Sequence, residues 1–327
     1  MSSWMRTCLL GLLAVGAVSA ADAPAGKPEG TDDLYDAGKQ LFDQYAPAQI
    51  KEQFEFPSRK QFDEFLAQVQ HASESGSLEE LATYEPQARS VLSALRAVPG
   101  YGDYADWLAS RLGEIEEAAL ITKERPPLPK TPVPGGTIPA GGEGRPAPRP
   151  VPSPSPIPYY ERWYERERGR PVPAGAGQLM PGLRAAFSAE GVPPELAWIA
   201  EVESSLKPSA RSPSGARGLF QLMPETAQKL GLSTFLPDER TDPEKSARAA
   251  ARQLRALGKR FGSWPLALAA YNAGEGRVGR LVADKRASNF AAIADSLPGG
   301  TRMYVPEVCA LVAVRTGVSP EQLPAPR

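Results

Sequence analysis

Between Pro126 and Pro158, 13 of 33 residues are proline, out of 35 in the 327-residue chain. Proline fixes φ and removes the amide proton, so neither a helix nor a central strand can run through such a segment. With Gly and Ser filling the gaps, it favours extended polyproline II and builds no core. At about 3.1 Å per residue it reaches roughly 100 Å when fully extended. The chain is therefore divided into residues 31–125 and residues 159–320, each read as a domain, with 126–158 as the linker. Two readings of the linker stay open: a spacer that lets one domain range from the other, or an unselective disordered connection.

Both flanking regions read as helical. In 31–125, Leu34, Leu41, Phe42 and Tyr45 share one stripe. Ser58 can cap a helix carrying Phe62, Phe65, Leu66 and Val69. "SLEELATYEPQARSVLSALRAV" and "YGDYADWLASRLGEIEEAALI" continue the pattern, which suggests a small helical bundle without a chemical signature. His71 follows one of these runs and reads as structural or exposed. In the second region, "AGQLMPGLRAAFSAEG" predicts a helix, and Pro193-Pro194 starts the next. Asp242 and Pro243 open a helix whose face is Ala247, Ala250, Leu254, Leu257 and Phe261. "SWPLALAAYNAG" predicts a buried helix ended by Gly274 and Gly276, and "TRMYVPEVCALVAVRTG" a closing helix. No segment alternates convincingly as a strand, so the expected fold class is all-α.

The bulk properties exclude several chemistries. The 37 basic and 38 acidic residues nearly cancel, which gives no electrostatic case for nucleic acid as a partner. Arg6, the short apolar run Cys8–Val18 and Val18-Ser19-Ala20 predict a signal peptide over residues 1–20. Export to the periplasm or cell envelope follows, with no transmembrane segment in the mature chain. Cys8 precedes the apolar run, so no lipoprotein is expected. Cleavage leaves Cys309 alone, expected as a small buried hydrophobe. With His71 the single histidine, a His-based triad or multi-His zinc site is poorly supported. Catalysis falls to carboxylates, hydroxyls and amides.

One stretch answers to that description. In "ELAWIAEVESSLKPSARSPSGARGLFQLMPETA", Leu196, Ile199, Ala200 and Glu203 fall on one helical face, with Glu203 about 20° from Leu196. Glu201 lies about 140° from Leu196 and is expected to face water. A carboxylate on an apolar face is costly when ionised, so the pKa of Glu203 should rise, which suits a general acid. A structural glutamate bonded to loop amides fits the same pattern. Gln221, Asn272, Tyr271 and Tyr304 place further amides and hydroxyls beside apolar neighbours. Together with one acid, that set fits a neutral glycan rich in hydroxyl and acetamide groups.

"VESSLKPSARSPSGARGLFQLMPETA", "LALAAYNAGEGRV" and "TRMYVP" resemble, in order, the three signature blocks of the family 1 lytic transglycosylases, the soluble-lytic-type and MltD-like murein enzymes. The likeness covers about Gly191 to Gly317. It implies a lysozyme-like catalytic fold acting on peptidoglycan glycan strands, with no metal or organic cofactor. It implies Glu203 as catalytic acid and Ser204, Ser212, Gln221, Met223, Tyr271, Asn272 and Tyr304 as substrate-binding positions. The implied reaction cleaves the MurNAc–GlcNAc bond without water and leaves 1,6-anhydro-MurNAc. Two departures stand out: Gly300 occupies a position where relatives often carry an acid, and no LysM-like repeat follows Gly317. Two other readings compete. One is a hydrolytic goose-type muramidase, for which Glu225, Asp238 or Glu275 would be the second acid. The other is a non-catalytic wall-binding protein. The N-terminal bundle is a candidate contact for other cell-envelope proteins.

Overall fold

The computed structural model describes residues 102–124, 156–212 and 214–326, together with 39, 68, 71–73, 76–86, 88, 89 and 92. The expected signal peptide, the stripes of 31–70 and residues 126–155 of the linker lie outside these. Among the described residues the fold is helical, and β structure is limited to the isolated bridges Arg211–Arg217 and Arg217–Leu222. The all-α expectation holds there. No described helix is long and apolar enough to cross a membrane.

The elements follow in order: α1 (Leu78–Ala82), α2 (Gly102–Glu124), α3 (Tyr160–Arg168), α4 (Ala176–Ala189), a 3₁₀ turn (Pro194–Trp198) and α5 (Ile199–Ser204). Then come α6 (Pro224–Lys229), α7 (Pro243–Phe261), α8 (Trp264–Ala273), α9 (Glu275–Lys285), α10 (Ala291–Ala294) and α11 (Gly299–Thr316). α7 begins as its sequence dictates: the Asp242 carboxylate accepts the Lys245 amide at 2.9 Å and Pro243 opens the first turn. Such a cap stabilises the helix by about 1 kcal/mol. Its alanine-rich face, with Leu254 and Leu257, lies in the core, and Phe261 packs against it from a partly buried position. α8 is buried over Trp264–Ala270. Gly274 ends it, but Gly276 does not: it lies inside α9, which starts directly after Gly274.

α11 organises the whole. Every residue from Gly299 to Ala313 is buried, because the helix has core on both sides. One side joins the main cluster through Tyr304, Val305, Val308 and Val312. The other meets a second cluster through Met303 and Ala310, which pack with Leu78, Leu81, Leu108, Ile115 and Trp163. Helices α1 and α2, from the region before the proline-rich segment, are thus built into the same body as α11. Charge pairs reinforce the seam. Arg162 and Arg166 of α3 reach Glu116, Glu117 and Glu124 of α2, and Lys207 pairs with Asp106. Residues 102–124 are therefore held against the second region, a finding at odds with free ranging of one against the other.

The approach of α11 to the N-terminal residues is close enough to require glycine. A Cβ at Gly300 would lie 2.5 Å from Ser73 Oγ and 2.6 Å from its carbonyl oxygen. The Gly299 amide donates to Gly76 O at 2.8 Å. No larger residue, acidic or otherwise, fits at 300 without moving this seam.

Candidate active site

The predicted acid sits on a short helix held between packed layers. The chain enters through the 3₁₀ turn and makes one and a half turns of α5, all of whose residues are buried. Ser205 and Leu206 then take left-handed backbone angles that turn the chain away. Glu203 is 5% exposed. Its Oε1 accepts a hydrogen bond from Tyr304 Oη at 2.6 Å, and its Oε2 lies 3.6 Å from Arg111 Nη2. Burial pushes the carboxyl above its ordinary value, while the Arg111 charge and the Tyr304 bond pull against that rise. Burial wins.

Glu203 lines a cleft of about 720 Å³. Ser212, Gln221, Met223, Tyr271 and Asn272 line it too, so five of the expected substrate-binding residues are gathered around the acid. The Gln221 backbone is left-handed, its Nε2 donates to Gly218 O at 2.9 Å, and its buried Oε1 has no hydrogen-bond partner. That carbonyl is an acceptor waiting for a donor. Tyr271 donates to Phe220 O at 2.8 Å, and Asn272 Oδ1 accepts from Thr301 at 2.7 Å. Burial, followed by the nearby Glu203 charge, holds the Tyr271 hydroxyl well above its usual range, so it stays a donor. Tyr304 is raised for the same two leading reasons.

Two expected residues sit elsewhere. Ser204 does not line the cleft: its hydroxyl lies 2.9 Å from both Ala200 O and Leu219 O, tying α5 to the following loop. Tyr304 is fully buried behind Glu203 and reaches the cleft only through it. The loop 211–222 is fixed from outside by Arg240, which donates to Gly215 O and Leu222 O and pairs with Asp238. Ser212 braces it from inside by accepting the Ala216 amide at 2.9 Å.

The outward orientation expected for Glu201 is wrong. The residue is 0% exposed. Arg315 of α11 clamps it in a two-pronged ion pair, Nη2 to Oε1 at 2.6 Å and Nε to Oε2 at 2.9 Å. The helical wheel assumed a helix with one wet face, but α5 has neighbours on both sides, and a 3₁₀ turn interrupts the repeat before it. The acids differ in surroundings rather than in burial: Glu203 opens on the cleft and Glu201 is neutralised.

The proposed second acids fare unequally. Glu225 is exposed and does not line the cleft. Asp238 is absent from the lining as well. Burial opposes its ionisation, but bonds from Arg240 and the Arg240 and Arg217 charges hold it below the usual carboxylate range. Glu275 lies on the cleft rim and pairs with Arg260. The buried carboxylate beside Glu203 comes instead from α2, where no chemistry was read. Glu114 lines the cleft and accepts from Arg111 Nη1 at 2.6 Å. Burial pushes Glu114 up to about 7, with the Arg111 charge opposing and the Glu203 charge adding to the rise. Their i, i+3 spacing is that of any surface pair, so nothing in the sequence marked them.

Residues 183–294 match the family model described as the transglycosylase SLT domain. The chain is 39% identical over 126 residues to membrane-bound lytic murein transglycosylase D of Escherichia coli (strain K12), covering 37% of this chain and 27% of that one. It is 38% identical over 121 residues to the soluble lytic murein transglycosylase of Salmonella typhimurium, covering 34% and 19%. The chain thus spans about a quarter or less of the length of these relatives. The solved 70 kDa soluble lytic transglycosylase of Escherichia coli aligns over 99% of this chain and 53% of its own, at TM-score 0.41 and 18% identity.

Proposed function

From the premise that residues 183–294 carry a transglycosylase SLT domain, we propose that the protein is a peptidoglycan lytic transglycosylase with Glu203 as its single acid–base group. The observation that carries this reading is a buried carboxyl, its pKa raised, opening on a cleft that polar residues of the family's signature blocks help to line. Tyr304 holds Oε1, which leaves Oε2 for the substrate. Protonated Glu203 donates to the oxygen linking MurNAc C1 to GlcNAc, the C1–O bond breaks, and GlcNAc leaves as the alcohol. The MurNAc acetamide stabilises the positive charge at C1. The Glu203 carboxylate then takes the proton of the C6 hydroxyl as O6 bonds to C1, which closes the 1,6-anhydro ring and restores the acid without consuming water. A carboxyl that is acid and then base works best with a pKa near the operating pH. The unpartnered Gln221 Oε1 supplies an acceptor for acetamide N–H and hydroxyl groups, and the Tyr271 oxygen, whose own proton goes to Phe220 O, can accept another. In the cell we place this activity in the envelope, where export would deliver it to glycan strands.

Mass spectrometry of muropeptides released from intact sacculi tests the reading. Anhydro ends, one water lighter than reducing ends, are the expected product. One observation favours hydrolysis as a second reading: Glu114 puts another buried carboxyl on the cleft wall, and hydrolytic glycosidases use two. Reducing MurNAc ends would establish that reading and overturn the first.

A further inference from the structure

We infer that Arg111 and Glu114, on a helix that precedes both the proline-rich segment and the matched domain, are positioning residues that set the protonation of Glu203. The inference rests on the reading of Glu203 as the acid. One guanidinium lies between two buried carboxyls: Arg111 Nη1 is 2.6 Å from Glu114 Oε1, and Nη2 is 3.6 Å from Glu203 Oε2. All three side chains line the cleft, and both acids are almost fully buried. The helix carrying the pair is fixed against α1, α3 and α11 by its apolar face and by its ion pairs with α3 and Lys207.

The chemistry needs such a device. A lone buried glutamate would hold its proton too tightly to return as a base, and an unshared arginine beside it would keep it ionised. Glu114 takes the shorter bond, so the arginine is shared between the two carboxyls rather than devoted to Glu203. Once Glu203 has given up its proton, the same guanidinium stabilises the carboxylate. The other titratable groups facing this trio are Tyr304 and Glu307 from α11 and Tyr271 from α8. Glu307 in turn faces Glu167 and Arg170 on the far side of α11. None of them bridges the two carboxyls. The N-terminal region thereby contributes directly to the site. The seam at Gly300, which admits no side chain, is where α11 yields space to the residues around Ser73.

The test is the pH dependence of kcat/KM for glycan cleavage by the full chain. Glu203 must be protonated to act, so activity falls as pH rises through its pKa. Arg111→Met removes the cation and moves this alkaline limb up, by about one pH unit. Glu114→Gln frees the cation toward Glu203 and moves the limb down. Arg111→Lys keeps the charge and returns the limb toward its wild-type position. For any variant that folds but does not turn over, titration of ¹³C-labelled glutamate carboxyls by NMR reads the same shift. A merely structural pair would lower rates without moving the limbs apart, and coincident or same-direction limbs overturn the inference. Glu203→Gln separates the two levels. If it keeps wild-type turnover, the proposed function is wrong at its acid. If it is inactive while the Arg111 and Glu114 limbs stay put, only this inference fails.

Discussion

Replacing Arg315 by Met should cost the protein a large part of its stability while leaving the cleft untouched. Arg315 donates twice to Glu201, and it also reaches Arg170 O at 3.2 Å and Pro171 O at 3.3 Å. Its guanidinium lies 5.9 Å from the centre of the Trp198 ring. Methionine keeps the stem and loses all of these polar contacts. Glu201, fully buried, is left with Arg170 Nε at 3.6 Å as its nearest cation. Breaking a buried pair by removing one partner costs about 3–5 kcal/mol, because the survivor's desolvation is no longer offset. Against a typical total of about 5–15 kcal/mol this is severe. It corresponds to roughly 6–20 °C in Tm for a domain of this size. Removing both charges, in Glu201→Leu with Arg315→Met, should recover most of the loss, since a packed apolar pair often matches a buried ion pair. Urea denaturation of the two single variants and the double closes the cycle. A cost below about 1 kcal/mol for Arg315→Met, or a double variant as poor as the sum of the singles, would refute the reasoning.

Three further outcomes follow from the same geometry. Tyr304→Phe removes the 2.6 Å bond that favours ionised Glu203. Its alkaline limb in kcat/KM should rise by about one pH unit, the equivalent of losing a hydrogen bond to a charged group; an unmoved limb counts against it. Gly218→Ala places a Cβ 1.8 Å from Arg240 O on a backbone with φ of +81°. It should cost about 2–4 kcal/mol by thermal denaturation, whereas Gly262→Ala, at φ +65° in open space, should cost only about 1–2 kcal/mol. Glu114, raised to about 7, binds its proton more tightly folded than unfolded. Stability should therefore fall as pH rises from about 4.5 to 7. Glu114→Gln should shrink the drop between pH 5 and pH 8 by about 2–3 kcal/mol; equal drops in both proteins would contradict this.

What the sequence made legible was local. Asp242 and Pro243 announced α7, and Gly274 the end of α8, because caps and stops are written in neighbouring residues. Glu203 could be picked out because it breaks an apolar period. Glu201 could not, since its burial depends on Arg315, 114 residues away. Nor could Arg111 and Glu114. Their pairing looks like ordinary surface chemistry until α2 docks on α5 and α11, and docking follows from shape rather than from period. The proline-rich segment argued for two separable regions. The residues it divides nonetheless share a seam, because α11 is buried from Gly299 to Ala313 and is covered on both sides.

The most direct measurement is the rate of muropeptide release from sacculi by Glu203→Gln beside the wild type, with thermal melts confirming that both are folded. The amide keeps the shape and the Tyr304 contact but has no acidic proton to give. Loss of a general acid–base group should slow release by about 10²–10⁴-fold, with anhydro ends disappearing in the same proportion. A folded Glu203→Gln protein that releases anhydro-muropeptides at more than about a tenth of the wild-type rate, a loss smaller than such a group explains, would contradict the account.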